Sequence, residues 1–180
     1  MKLLPPYIYK VYRGIRHFKH SSVFKVGDVF TWQSFVSASL DKDAVVRGDF
    51  VNPTGTMFRI QTLTGRDISQ FSIYGAEREV ILLPFTSFVT DRIEARRDYE
   101  KVWLTEIESP SSTDKNVLLW VDDEPRDNMD LLRQLEERRG SQMEILRVTS
   151  TRAAEAWMRE FAWLFSRTNR EIKVVTDMSR

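Results

Sequence analysis

Apolar and polar positions alternate with short periods through the first hundred residues and group differently after them. Tyr7 to Gly14 is aromatic and β-branched, the composition that an extended strand favours. The turn signal Gly27-Asp28 precedes Val29 to Ser39, which reads as one strand carrying Trp32 and Phe35. Met57 to Thr62, Glu79 to Leu83, Ser87 to Ala95 and Tyr99 to Ile107 repeat that character. Polar stretches separate them, among them Gly65-Arg66-Asp67-Ile68-Ser69, which reads as a turn. Asp41 to Arg47 has the look of one or two helical turns, with Asp41 near the N-terminus. Short strands with so little helix predict an antiparallel β-sandwich.

Ser109-Pro110-Ser111-Ser112-Thr113-Asp114 is a linker by composition, and the pattern changes beyond it. Val117 to Val121 is a continuous apolar run, as in a strand buried on both faces. Asn128 to Arg139 places Leu131, Leu132 and Leu135 on a helical face and meets Gly140. A strand over Glu144 to Val148, a helix over Thr151 to Phe165 and a strand over Ile172 to Thr176, ending in Asp177, complete a β-α-β-α-β order. That order predicts a parallel sheet. The chain is therefore α+β, with a first domain over 1–108, a linker over 109–115 and an α/β segment over 116–180. Three strands and two helices leave a strand edge and apolar helix faces uncovered. Trp157, Phe161, Leu164 and Phe165 are expected to form an exposed patch that pairs with a second copy or docks on the first domain.

Composition narrows the function classes. The 180 residues are 42% hydrophobic and 29% charged with a net charge of +1, a soluble globular balance. Basic residues are interspersed with acidic ones, so no field draws the chain to nucleic acid or anionic lipid. Cysteine is absent, which removes thiol catalysis, zinc-thiolate sites and disulfides, and fits a reducing, cytoplasmic location. His17 and His20 are the whole histidine complement and read as polar residues on a surface turn. No apolar run approaches a membrane span, and Pro5-Pro6 directly after Met1-Lys2-Leu3-Leu4 argues against a signal-peptide core.

Chemistry gathers around Tyr74 to Pro84, where a polar loop enters an apolar strand. Residues two apart on a strand share a face, so Glu77 and Glu79 are expected to aim two carboxylates into one cleft. Alone, that pair would be ordinary solvated charge, and Arg13 or Ser37 alone would be an ordinary strand residue. Together and in order, Val11-Tyr12-Arg13-Gly14, Phe35-Val36-Ser37-Ala38-Ser39-Leu40, and Ile68-Ser69-Gln70-Phe71-Ser72 running into Glu77-Arg78-Glu79-Val80-Ile81-Leu82-Leu83-Pro84 carry more weight. They resemble the arginine-specific mono-ADP-ribosyltransferases, marked by an Arg, a Ser-x-Ser strand and a Glu-x-Glu. Ala38 stands where that family usually has Thr.

The resemblance implies a two-sheet sandwich with NAD+ as co-substrate in the cleft. ADP-ribose then passes to an exposed arginine of a protein acceptor, without a metal. It implies a catalytic set of Arg13, Ser37, Glu77 and Glu79. Glu79 meets the ribose 2′-hydroxyl and stabilises the oxocarbenium, and Ser37 positions it. Glu77 orients the acceptor guanidinium, and Arg13 holds phosphate and ribose oxygens. Gly14, Ser39 and Phe50 join the NAD+ set, with Gly14 offering main-chain groups to the nicotinamide amide and Phe50 a ring to stack on it. Tyr74 is placed toward the acceptor. Two alternatives stay open: an NAD+ glycohydrolase in which water replaces arginine, and a non-catalytic NAD-sensing module regulated by the second segment.

Val117-Leu118-Leu119-Trp120-Val121-Asp122-Asp123-Glu124-Pro125 resembles the start of a response-regulator receiver, a flavodoxin-like α/β domain. Asp122 and Asp123 match an acidic pair that holds Mg²⁺, and Asp177 matches the phosphate-accepting aspartate. A receiver has five strands and this chain supplies three, so the segment is expected to be either a truncated product or a half-domain completed by something else. The simpler reading is that Asp122-Asp123 caps the following helix.

Overall fold

Nonlocal strand pairing dominates the first part of the chain. In the computed structural model, which describes residues 4–111, 115–139, 143–166 and 170–177, β1 (Tyr7–Ile15) runs antiparallel to β4 (Thr56–Asp67). The register slips where Tyr7 faces Gly65 but Tyr9 faces Thr62. One extra residue on β4 makes a β-bulge there. The remaining strands of this part are β2 (Val29–Trp32), β3 (Val36–Ser39), β5 (Glu79–Leu82), β6 (Thr86–Ala95) and β7 (Glu100–Ile107). They form one seven-stranded sheet, ordered β1-β3-β5-β4-β7-β6-β2, in which β1 also pairs with β4. The sheet therefore closes on itself through β1, β3, β5 and β4, where two separate sheets were expected. Its pairing is also mixed, since β4 and β7 are parallel.

Three details differ from the sequence reading. Val29 to Ser39 is two strands: β2 pairs with β6, and β3 pairs with β5. The polar Gln33-Ser34 step lets the chain change partners. Gly65, Arg66 and Asp67 belong to β4 rather than to a turn. A Cβ on Gly65 would stand 3.0 Å from Val80 Cγ1, so glycine here serves close strand packing. His20 is no surface residue. It is buried, its Nε2 lies 2.9 Å from Thr90 Oγ1, and its ring stacks on Phe24 and meets Phe58 edge-on. Burial lowers its pKa below the ordinary histidine value.

The core of this part is formed by Val11, Phe58, Ile60, Val80, Leu82, Phe88, Val102 and Leu104, with Ala38 closing it under β3. The helix α1 (Lys42–Arg47) begins at Asp41, whose side chain accepts from Asp43 N–H at 2.8 Å.

The chain divides between Glu106 and Ile107 into two units. The second contains β8 (Asn116–Asp122), α2 (Met129–Arg139), β9 (Met143–Val148), α3 (Thr151–Phe161), α4 (Trp163–Ser166) and β10 (Ile172–Asp177). Its three strands are parallel in the order β10-β8-β9. The expected stop at Gly140 lies outside the described residues. The helix expected over 151–165 is broken at Ala162 into α3 and α4.

The aromatic residues expected to lie exposed on that helix are mostly core. Trp157 is fully buried with its indole N–H on the Glu108 carbonyl at 2.8 Å, and Phe165 is buried beside it. Residues 108–111 supply that cover. The Glu108 carboxylate pairs with Arg147 at 2.8 Å, and Ser111 N–H meets Glu144 at 2.8 Å. Among the described residues, no helix is long and apolar enough to cross a membrane.

Candidate active site

Three neighbouring strands assemble the site. Tyr12 on β1 is the Cα partner of Ser39 on β3, and Ser39 is the partner of Glu79 on β5. Arg13, Ser37 and Glu79 therefore meet although far apart in the chain. Ser37 Oγ donates to Glu79 Oε1 at 2.5 Å. Arg13 Nη1 donates to the Ser37 carbonyl at 2.5 Å, which ties the arginine to the same strand. Burial lowers the Arg13 pKa below its ordinary value, but a guanidinium in a protein remains a cation. Beside these groups lies a cleft of about 280 Å³ lined by Tyr12, Arg13, Gly14, Ser37, Ser39, Val45, Phe50 and Glu77. Glu79 is tied to it through the Ser37 hydroxyl.

Glu77 reaches the cleft by a route the sequence did not show. It is the last residue of a one-turn 3-10 helix (Gly75–Glu77) and does not belong to β5. Arg78 between the two glutamates is left-handed, with φ 46° and ψ 61°. For a non-glycine residue this is a strained conformation, costing about 1–3 kcal/mol, that persists only where neighbours hold it. The neighbours are present. Leu40 N–H donates to the Arg78 carbonyl at 3.0 Å, and Ser39 Oγ donates to the Glu77 carbonyl at 2.5 Å.

That second bond gives Ser39, expected in the NAD+ set, a structural role as well. Ser39 is buried, and its hydroxyl also accepts from Asp41 N–H at 2.9 Å. It holds the glutamate turn in place while lining the cleft.

Gly14 and Phe50 are coupled. A Cβ on Gly14 would stand 2.5 Å from Val51 Cγ1 and 2.6 Å from the Phe50 carbonyl, so the glycine lets the Phe50-Val51 segment lie against β1. Phe50 lines the cleft with its side chain partly exposed. Tyr74 stands in solvent with Phe71 and Ile73 on the loop before the glutamates.

One member of the site went unassigned in the sequence. Ser72 Oγ donates to Glu79 Oε2 at 3.2 Å, opposite the Ser37 bond, so both carboxylate oxygens are held. Its signal was its place in the block quoted above, seven residues before Glu79.

In the second unit Asp122 is engaged within the protein. Asp122 is buried, and its carboxylate accepts from Trp120 Nε1 (3.2 Å), Glu124 N–H (2.9 Å) and Asn128 Nδ2 (2.8 Å). It holds the turn into α2, as the simpler of the two readings expects. Asp123 points to solvent. Asp177 ends β10 as the Cα partner of Asp122.

A sheet closed on itself, with an arginine, a serine-held glutamate and a second glutamate at one cleft, defines an ADP-ribosyltransferase-like fold. Residues 3–112 match the family described as NAD:arginine ADP-ribosyltransferase, and the chain belongs to it. It is 36% identical over 83 residues to NAD(P)(+)--arginine ADP-ribosyltransferase 2 of Gallus gallus, covering 46% of this chain and 25% of the relative. It is 38% identical over 82 residues to ecto-ADP-ribosyltransferase 5 of Bos taurus, covering 44% and 24%. The chain thus matches about a quarter of the length of these curated relatives. Vis, an ADP-ribosyltransferase from Vibrio splendidus, shares the fold at a TM-score of 0.52 and 24% identity, over 61% of this chain and 53% of that one.

Proposed function

We propose that the chain transfers ADP-ribose from NAD+ to an arginine side chain of a protein acceptor and releases nicotinamide. The observation that carries this reading is the Glu79 carboxylate fixed by Ser37 at 2.5 Å beside the cleft that Arg13 and Glu77 line. When the nicotinamide–ribose bond breaks, positive charge develops on the ribose, and a carboxylate fixed in advance stabilises it without reorganisation. An acceptor guanidinium nitrogen then bonds to the ribose carbon and gives up a proton. Glu77 binds and orients that guanidinium, the pairing a carboxylate makes best. Arg13 is the cation available for the dinucleotide's phosphates, and Phe50 is an apolar ring at the cleft for the nicotinamide.

Vis has been solved with agmatine, a free guanidine. The test for this chain uses the same compound: labelled NAD+ with and without agmatine, following nicotinamide release and labelled product. Release without labelled agmatine would leave the glycohydrolase reading in its place, and neither product would end the proposal.

For residues 116–180 we infer a receiver-like topology used as a scaffold. The central first strand and the pairing of Asp122 with Asp177 support the topology. The commitment of Asp122 to the α2 turn supports the absence of phosphoryl chemistry. Acetyl phosphate with Mg²⁺ is expected to leave the intact mass unchanged, and a phosphoryl adduct on Asp177 would overturn this.

A further inference from the structure

The loop between Asp67 and Glu79 is built from short-range bonds: Ser69 N–H and Oγ meet Asp67 Oδ1 at 2.9 and 2.6 Å, and Glu77 N–H returns to the Tyr74 carbonyl at 2.8 Å. Phe71 and Ser72 N–H both return to the Ile68 carbonyl, at 2.8 and 3.0 Å. Beyond them, Ile73 and Tyr74 project into solvent. One side chain joins this exposed stretch to the catalytic carboxylate. Ser72 Oγ donates to Glu79 Oε2 at 3.2 Å and accepts from Tyr74 N–H at 3.2 Å. A hydroxyl has one proton and two lone pairs, so both bonds are made at once.

We propose that Ser72 is a positioning residue that couples the Phe71–Glu77 loop to Glu79, so that the loop's seating sets the aim of the carboxylate. The inference rests on the reading of Glu79 as the carboxylate that stabilises the ribose. With Ser37 on one oxygen alone, the carboxylate keeps freedom to turn about its last torsion, which is broad for glutamate. The second donor removes that freedom. Because the same hydroxyl caps the Tyr74 amide, a loop pushed away from the sheet takes the donor with it. A loop pressed home restores it. A protein surface that engages Ile73 and Tyr74 therefore reaches the Glu79 carboxylate through the Ser72 hydroxyl, while Ile68 N–H and Ser69 Oγ hold the Glu79 carbonyl.

The test compares Ser72→Ala, Ser72→Thr and Glu79→Gln with the wild-type chain. A hydrogen bond to a charged group carries roughly tenfold or more in rate when it acts on the transition state. Ser72→Ala is expected to lower kcat for nicotinamide release about tenfold with KM for NAD+ and melting temperature unchanged. Ser72→Thr, which keeps the hydroxyl, is expected to recover most of the loss. Hydrogen exchange read on a peptide spanning Ser69–Arg78 supplies a measurement independent of turnover. Exchange at the Tyr74 amide should quicken in Ser72→Ala and stay at the wild-type rate in Ser72→Thr.

Wild-type kcat in Ser72→Ala would overturn the coupling, and so would a loss confined to KM, or unchanged exchange at Tyr74. Near-wild-type turnover in Glu79→Gln would instead defeat the underlying assignment of the catalytic carboxylate, whatever Ser72 does.

Discussion

Glu106 lies fully buried near the end of β7, and its removal should cost more stability than that of any exposed acid. Its carboxylate accepts from Thr62 Oγ1 and Leu63 N–H at 2.6 Å, Thr64 N–H at 3.1 Å and Thr64 Oγ1 at 2.6 Å. Leu63 and Thr64 lie in the β4 bulge, between the Tyr9–Thr62 and Tyr7–Gly65 pairs, and their amides bond to the Glu106 carboxylate. Glu106→Ala leaves those two amides unsatisfied at about 1–3 kcal/mol each, or about 2–6 kcal/mol in all. For a domain of this size that is a fall in Tm of roughly 10 °C or more.

Glu106→Gln behaves differently. Its amide oxygen takes the place of Oε2 for the backbone donors, and its NH₂ donates to Thr64 once that hydroxyl turns. The charge is gone, and with it the desolvation that raises the Glu106 pKa against the opposing pull of the Thr62, Thr64 and backbone hydrogen bonds. A carboxyl raised in the folded state contributes stability below its unfolded pKa and loses it as pH rises through the folded value. The stability of wild type minus that of Glu106→Gln should therefore decline from about pH 4.5 upward. Urea melts followed by tryptophan fluorescence across pH 4 to 8 measure it. A Glu106→Ala protein within about 1 kcal/mol of wild type, or a difference that grows with pH, would refute this account.

Further outcomes follow from the site. Glu79→Gln keeps an acceptor for Ser37 but loses the fixed charge, so nicotinamide release should drop roughly 100- to 1,000-fold with the fold intact by circular dichroism. Glu77→Gln should spare NAD+ hydrolysis while agmatine labelling collapses, and a parallel fall of both activities would remove its acceptor role. Arg13→Ala should raise KM for NAD+ far more than it lowers Tm, since its bonded partner is the Ser37 carbonyl, not a buried carboxylate. Gly14→Ala forces the Phe50-Val51 segment away from β1, with a cost of about 1–3 kcal/mol and a higher KM, both read from one purified sample.

The strands were legible because alternation and β-branched composition report a half-buried ladder directly. The choice of partner was not. Nothing in Thr31-Trp32-Gln33-Ser34-Phe35 shows that β2 goes to β6 and β3 to β5, because pairing energy lies in residues some fifty positions away. Gly65 misled for a related reason: glycine marks turns, but also strands that pack too closely for a side chain, and only Val80 decides between them.

At the site, Arg13, Ser37 and Glu79 were legible as a spaced pattern. The position of Glu77 was not, because a left-handed arginine has no signature of its own and is held by bonds from Ser39 and Leu40. Trp157 looked like an exposed aromatic because its indole N–H is met by the Glu108 carbonyl, the last residue before what reads as a linker.

The bonds that make the site also set when it appears during folding. Arg13 reaches Ser37 across 24 residues, and Ser37 reaches Glu79 across 42. Each closure spends chain entropy before any contact returns it, and pairings of this span form late and slowly. α1 and the β6–β7 neighbourhood need only short loops, so they can assemble while the cleft does not yet exist. On dilution from denaturant, secondary structure should therefore return before turnover does. A chain released from unfolding passes through a stage that is largely structured and chemically silent.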